Sequence, residues 1–212
     1  MIIGLVGFIG AGKNTVARKL VSKYDFKQES FAHTLKDVCS VLFGWPRHLL
    51  EGDTEESRVW RERKDAWWSE RLNIPDFTPR FALQNLGTNV MRNHFHQDIW
   101  ALSLERRLKG TNNNIVVSDV RFPNEIDAVR NNGGYIIFVD NGERPEWFDI
   151  ATKAHKGDTK ALHLMETTYS HVHLSEWAWI GTQFDATILN VGSLCQLRSE
   201  ISTVMDNLMS QD

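Results

Sequence analysis

The chain is poor in several things, and each shortage removes a class of function. Its 212 residues hold two cysteines, Cys39 and Cys195, far apart and without metal-type spacing, which fits a reducing compartment. There is no basic excess: 24 Lys and Arg stand against 27 Asp and Glu, a net charge of −3, so the electrostatic footprint of a nucleic-acid binder is missing. No apolar run reaches the roughly 20 residues needed to cross a bilayer. The apolar N-terminus has no basic segment before it and runs into a glycine-rich turn, which argues against a signal peptide. Repeats and low-complexity tracts are absent. Eight histidines are present, but His94-Phe95-His96 and His171-Val172-His173 lack a partnering cysteine or an HExxH spacing. Surface or hydrogen-bonded histidines are therefore expected, not zinc ligands. What remains is a cytoplasmic chain with small-molecule partners, and no nucleic acid or membrane.

What is there begins at the first residue. Met1–Val6 reads as a buried strand, Gly7-Phe8-Ile9-Gly10-Ala11-Gly12-Lys13-Asn14-Thr15 follows, and a helical pattern then opens. Strand, glycine-rich turn and helix form the context of a phosphate-binding loop. Glycines let successive N–H groups turn inward toward a polyphosphate, the helix adds its positive end, and Lys13 reaches the β- and γ-phosphates. Gly10, Ala11, Gly12, Lys13, Asn14 and Thr15 are thus the expected nucleotide cradle. The pattern asks for Ser or Thr directly after the lysine, but Asn14 stands there and Thr15 comes next. That variant leans toward small-molecule kinases and away from switch GTPases.

The rest alternates strand and helix. A first helix is predicted over Lys13–Tyr24, and a second carries Leu35, Val38 and Leu42 on one stripe. The charge-dense stretch from Gly52 to Arg71 reads as a solvated helix in which one arginine, Arg58, turns inward. Thr78-Pro79 opens another helix, Asn93–His96 is irregular, and Asp98 caps a helix that Gly110 stops. Ile115–Ser118 and Tyr135–Val139 read as buried strands, Asp140–Ile180 as an irregular lid-like stretch. Asp185–Leu189 is a last strand. Ser193–Met209 is an amphipathic helix with Leu194, Leu197, Ile201, Val204 and Leu208 on its stripe. Five strands alternating with helices imply a parallel sheet with helices on both faces, ligands binding at the carboxyl ends of the strands. Gly7–Lys13, Asp119 and Asn190 should lie along that edge.

Asp119-Val120-Arg121 follows a buried strand directly. A carboxylate there can hold Mg²⁺, directly or through water, or bind a sugar hydroxyl, and Arg121 offers a planar fork to a phosphate. A structural Asp–Arg ion pair accounts for the same two residues equally well. Glu125, four residues on, is placed to pair with Arg121.

Taken in order, these residues resemble the deoxynucleoside monophosphate kinases of tailed bacteriophages. The likeness runs through Gly7–Thr15, Phe31-Ala32-His33-Thr34-Leu35-Lys36-Asp37, Leu50-Glu51-Gly52-Asp53 with Arg58, and Arg80 with Leu83–Thr88. It continues in Trp100, Asp119-Val120-Arg121-Phe122 with Asn124-Glu125, and His173-Leu174-Ser175-Glu176. The resemblance implies a single phosphate-loop kinase domain over 1–212 of three-layer α/β/α build. Residues from about 45 to 110 would be a helical monophosphate-binding insert, and those from about 140 to 180 a lid. It implies transfer of the γ-phosphate of ATP, with Mg²⁺, to a deoxynucleoside 5′-monophosphate, in the host cytoplasm if the chain is phage-encoded.

By the same likeness Lys36, Arg58, Arg80, Gln84, Gly87, Thr88, Asn93, Trp100, Asp119, Arg121 and Glu125 line the monophosphate site. Lys13, Arg80, Asp119 and Arg121 carry catalysis, and Thr15 and Asp119 face the metal. Asn190 and Gly192 border the adenine. Arg144 is the one arginine between Arg130 and Arg198, so it or a nearby lysine would serve as the lid cation. Trp100 stacks on the base or belongs to the core. A homodimer is among the expected assemblies. The rival readings are a kinase of dephospho-coenzyme A or of a phosphorylated isoprenoid acid, and a non-catalytic nucleotide switch. The switch lacks its Asn-Lys-x-Asp element here.

Overall fold

The computed structural model describes residues 1–210. Five strands and ten α-helices run in the order β1 (Ile2–Val6), α1 (Lys13–Tyr24), β2 (Phe26–Glu29), α2 (His33–Phe43), α3 (Glu55–Arg61), α4 (Ala66–Leu72), α5 (Pro79–Gln84), α6 (Ile99–Leu108), β3 (Asn114–Val117), α7 (Pro123–Arg130), β4 (Tyr135–Asp140), α8 (Phe148–His155), α9 (Thr159–Thr167), β5 (Ala186–Leu189) and α10 (Leu194–Met209). The chain divides into two compact units, Met1–Ser30 with the residues from Arg107 onward, and Phe31–Arg106. No helix among the described residues is long and apolar enough to cross a membrane.

The first unit is built on the sheet. All four neighbouring pairs are parallel and the order is β2-β3-β1-β4-β5, with Ile3 opposite Val116 and Leu5 opposite Ile137. Ile3, Leu5, Val6, Val116, Ile136, Ile137 and Val139 are wholly buried, the unbroken apolar pattern of strands covered on both sides. Passage from β1 to β2 runs one way across the sheet and from β3 to β4 the other. Right-handed crossovers therefore place α1 and α7 on opposite faces. The reversal falls between β1 and β3, so the loops that follow them open at a topological switch point.

Sequence expectation and structure part company in five places. The charge-dense stretch from Gly52 to Arg71 is two helices, α3 and α4, and not one, because the Asp65 carboxylate caps a fresh start by accepting from the Trp68 N–H. The stretch from Asp140 to Ile180 is not irregular, because α8 and α9 occupy much of it, α9 capped by the Asp158 carboxylate accepting from Lys160 and Ala161 N–H groups. Asn93–His96 is not a loop start: Asn85–Phe95 forms a π-helical stretch that continues α5. On α2 the buried pair is Leu35 and Cys39, while Val38 and Leu42 face solvent. Leu194 lies at the exposed start of α10 and leaves its buried stripe to Leu197, Ile201, Val204, Met205 and Leu208.

In the first unit the segment after β4 folds an aromatic cluster onto the glycine-rich loop. Phe8 meets Trp179, Trp147 and Phe148 edge-on at 5.1, 5.8 and 6.0 Å between centroids. Trp179 also packs on Phe138 and is wholly buried. Trp179→Ala is expected to cost about 3–5 kcal/mol, the range for deleting a buried large aromatic. Urea unfolding measures it, and a loss below about 1 kcal/mol would mean the cavity collapses freely.

The second unit is helical. Phe43 stacks on Trp45 at 4.4 Å, Phe77 closes on both, and the Trp45 indole N–H donates to Asp65 at 2.8 Å. Trp100 is buried, its N–H donating to the Gly87 carbonyl at 2.8 Å. Gly87 sits against Leu35, where a Cβ would come within 2.7 Å of a leucine methyl.

Candidate active site

The loop after β1 is shaped by backbone that only glycine adopts freely. Gly10 and Gly12 have φ of +84° and +99°, and Gly12 occupies the cap position of α1. A Cβ on Gly12 would collide with the Asn190 side-chain amide, which donates to the Ala11 carbonyl at 2.9 Å. Asn190 thereby ties the loop after β5 to the loop after β1. Thr15 and Val16 N–H groups bond to the Gly12 carbonyl, so the helix begins at once and Lys13 and Asn14 stand in its first turn.

Lys13 folds back over the loop, its ammonium donating to the Gly7 and Phe8 carbonyls at 2.6 and 2.8 Å. Burial, and next the Arg121 guanidinium, push this ammonium down to about 8; Glu176 and then Asp119 act in the opposite sense. Lys13, Arg121, Glu176 and Asp119 thus share one electrostatic site within the first unit, on the carboxyl side of β1 and β3.

Arg121 is held at two levels. The buried Glu125 carboxylate accepts from the backbone N–H of Arg121 at 2.8 Å and of Phe122 at 3.2 Å, which fixes the main chain where α7 begins. The pairing of Glu125 with Arg121 runs through the backbone N–H of Arg121. Four residues separate them, and Arg121 precedes α7 and so lies off its helical face. Its guanidinium donates to the Glu176 carboxylate, with Ser175 Oγ at 3.4 Å. The His173 ring accepts from the Ser175 N–H at 3.2 Å and lies 2.9 Å from its hydroxyl. Glu176 and Ser175 belong to this site, although sequence reasoning gave them no role. Their signal was the stretch His173–Glu176 itself, which carried the family likeness without a chemistry attached.

Arg144 is engaged close to home. It makes two bonds to the Asp140 carboxylate at 2.8 and 2.7 Å and lies over the Phe148 ring. The bond from Arg144, with the Gly142 N–H, holds Asp140 below the usual carboxylate range against its own burial. Asn190 and Gly192 follow β5, next to an exposed Val191 and Leu194. A groove of about 250 Å³ between α1 and α10 runs from Thr15 along Arg18 and Arg198 over a floor of Leu197 and Ile201.

In the second unit Lys36, Arg47, Arg58 and Arg80 are each paired with acids. Lys36 donates to Glu51 at 2.6 Å, and Arg47 reaches Glu51 and Asp37. Arg58 pairs with Glu55 at 3.1 Å and Arg80 with Glu62 at 2.8 Å, both arginines about half exposed. Gln84, Thr88 and Asn93 are exposed on α5 and the π-helical stretch.

A family model described as deoxynucleotide monophosphate kinase matches residues 51–157. The chain is 32% identical over 154 residues to a predicted deoxynucleotide monophosphate kinase of Acanthamoeba polyphaga mimivirus, covering 66% of this chain and 74% of that one. It is 25% identical over 179 residues to the deoxynucleoside-5′-monophosphate kinase of Escherichia phage T5, covering 61% and 72%. Among solved structures it is similar to shikimate kinase from Bacteroides thetaiotaomicron, at a TM-score of 0.46 and 13% identity over 99% of this chain and 98% of that one. With the family model spanning half the sequence and the viral relative matched along most of its length, the chain belongs to the deoxynucleotide monophosphate kinase family.

Proposed function

We propose that the protein transfers the γ-phosphate of ATP to a deoxynucleoside 5′-monophosphate, giving ADP and the deoxynucleoside diphosphate. The observation that carries this reading is that Arg121, Glu176 and Asp119 all act electrostatically on Lys13, whose ammonium lies on the phosphate-binding loop. Lys13 and the loop N–H groups take the donor's triphosphate, and Arg121 takes the phosphate of the acceptor. Asn190 and Gly192 border the donor base. Lys36, Arg58 and Arg80 are proposed as further acceptor-binding groups, with Gln84, Gly87, Thr88 and Asn93 around them.

The attacking atom is an oxygen of a phosphate monoester whose second pKa is about 6, so it is already ionised at neutral pH. No side chain has to remove a proton, and a site without a catalytic base suits this chemistry. Rate comes from alignment and from cations placed where negative charge accumulates. The donor set also fits Mg²⁺. Thr15 offers a hydroxyl and Asp119 a carboxylate, and Mg²⁺ is commonly held by one or two carboxylates together with substrate phosphates and water. When bound, the ion neutralises the triphosphate and orients it; Asp119 and Thr15 would hold it.

A coupled assay with ATP across deoxy- and ribonucleoside monophosphates, with dephospho-coenzyme A included, tests the reading. Turnover of at least one deoxynucleoside monophosphate is expected; turnover of dephospho-coenzyme A alone, or ATP hydrolysis with no phosphorylated product, overturns it. A second measurement concerns pH. Because Lys13 in the free protein loses its proton near 8, kcat/KM for ATP is expected to hold below that value and fall above it. Glu176 helps retain that proton, so Glu176→Gln should move the alkaline fall to lower pH. A fall left in place by that change would remove Glu176 from the field around Lys13.

A further inference from the structure

One arginine of the second unit stands apart from its neighbours. Arg61, in the last turn of α3, makes no hydrogen bond or ion pair among the described residues, and its Nε is fully buried without a partner. The charges it feels are, in falling order, Arg80, Glu62, Glu51 and Arg58. Both acids are spent elsewhere: Glu62 on Arg80, Glu51 on Lys36 and Arg47. Burial and Arg80 together disfavour its charged form. A half-buried guanidinium that faces two other arginines and no free carboxylate is costly for the fold to keep. It is what a site for an incoming anion requires.

The side chain is also seated. Its guanidinium lies flat against Gly52, where φ is +71° and a Cβ would overlap the guanidinium carbon and both terminal nitrogens. Gly52 thus leaves room for a planar fork at one position and in one orientation. A phosphate offers two oxygens at the spacing of that fork, and Arg80 and Arg58, each paired with its own glutamate, stand near enough to act on the Arg61 charge. Arg58, the arginine singled out from sequence, is instead half exposed and paired within its own helix.

We propose that Arg61, braced on Gly52, is the principal ligand of the acceptor's phosphate in the second unit, with Arg58 and Arg80 as neighbouring charges. This rests on the function proposed above, and the test separates the two. In the coupled assay Arg61→Gln is expected to raise KM for the deoxynucleoside monophosphate about tenfold or more while KM for ATP stays within about twofold. Arg61→Lys, which keeps the charge without the fork, is expected to recover part of that loss. An acceptor KM within about twofold of wild type in Arg61→Gln, or equal rises for both substrates, overturns the proposal. If the wild-type protein phosphorylates no deoxynucleoside monophosphate, the functional reading fails on its own, and inorganic phosphate then decides the site. A saturable shift of the Arg61 Nε–H resonance on phosphate titration, not reproduced by chloride at matched ionic strength, supports an anion site; a shift that chloride reproduces, or none, ends it.

Discussion

Lys13→Met is expected to lower phosphoryl transfer by about three orders of magnitude while leaving the protein folded. In the free protein the Lys13 ammonium lies bonded to the Gly7 and Phe8 carbonyls, on the loop that the proposed function assigns to the donor's triphosphate. Methionine keeps the length and apolar stem of lysine and loses only the charge and its donors. Removing one preorganised donor from a site of developing negative charge costs about 10²–10³ in kcat, and Lys13 adds a full positive charge to that role. The fold gives up the two bonds to the Gly7 and Phe8 carbonyls but is relieved of an ammonium that burial and Arg121 disfavour, and the two effects offset. Circular dichroism and a melting temperature within about 4 °C of wild type would establish the folded state, that span corresponding to roughly 1 kcal/mol. Activity retained within a few-fold would show that the loop after β1 is not the donor site.

How far the sequence could be read depended on whether the signal was local. The strand, glycine-rich turn and helix at the N-terminus are contiguous, and the helix bounds Lys13–Tyr24 were legible because the glycines fix where it starts and Asp25, at φ 57°, where it stops. Strands β3 and β4 announced themselves as unbroken apolar runs, and the carboxyl ends of β3 and β5 then placed Asp119 and Asn190 on one edge. The helices α8 and α9 did not, since only Ala151 on one and Ala161 and Met165 on the other are buried, too few to print a period of 3.6. The Asp158 cap was the one mark available. A π-helical stretch has no familiar repeat at all, so Asn85–Phe95 was read in two parts. The same limit governs the site. Arg58 and Arg61 are three residues apart on one short helix, and nothing in their spacing says which turns inward; the sign lay in Gly52, whose missing side chain makes the seat. Glu176 lies 55 positions from the arginine it binds, a contact that only the packing of the segment after α9 creates.

That contact gives Arg121→Ala a signature that a plain ion pair would not have. Arg121 is half enclosed, its main chain pinned by the buried Glu125 and its guanidinium turned to Glu176 and Ser175. Read as a structural pair, its loss would cost stability and little else. Read as the acceptor's phosphate ligand, its loss should lower kcat/KM for the deoxynucleoside monophosphate by about 10²-fold or more, with ATP affinity changed far less. Lys13 provides a second readout in the same variant. Arg121 lowers the Lys13 pKa, while Glu176 raises it and would then be left unpaired beside it. Both changes act in one direction, so the alkaline fall in activity with ATP should move above pH 8 as acceptor handling collapses. Arg121→Lys separates charge from shape: it keeps the cation, so the pH profile should stay near that of wild type. A lysine cannot offer two parallel N–H bonds, and most of the acceptor loss should therefore remain. An acceptor kcat/KM within about threefold of wild type in Arg121→Ala, whatever the melting temperature does, would return Arg121 to the structural role and leave the phosphate to other residues.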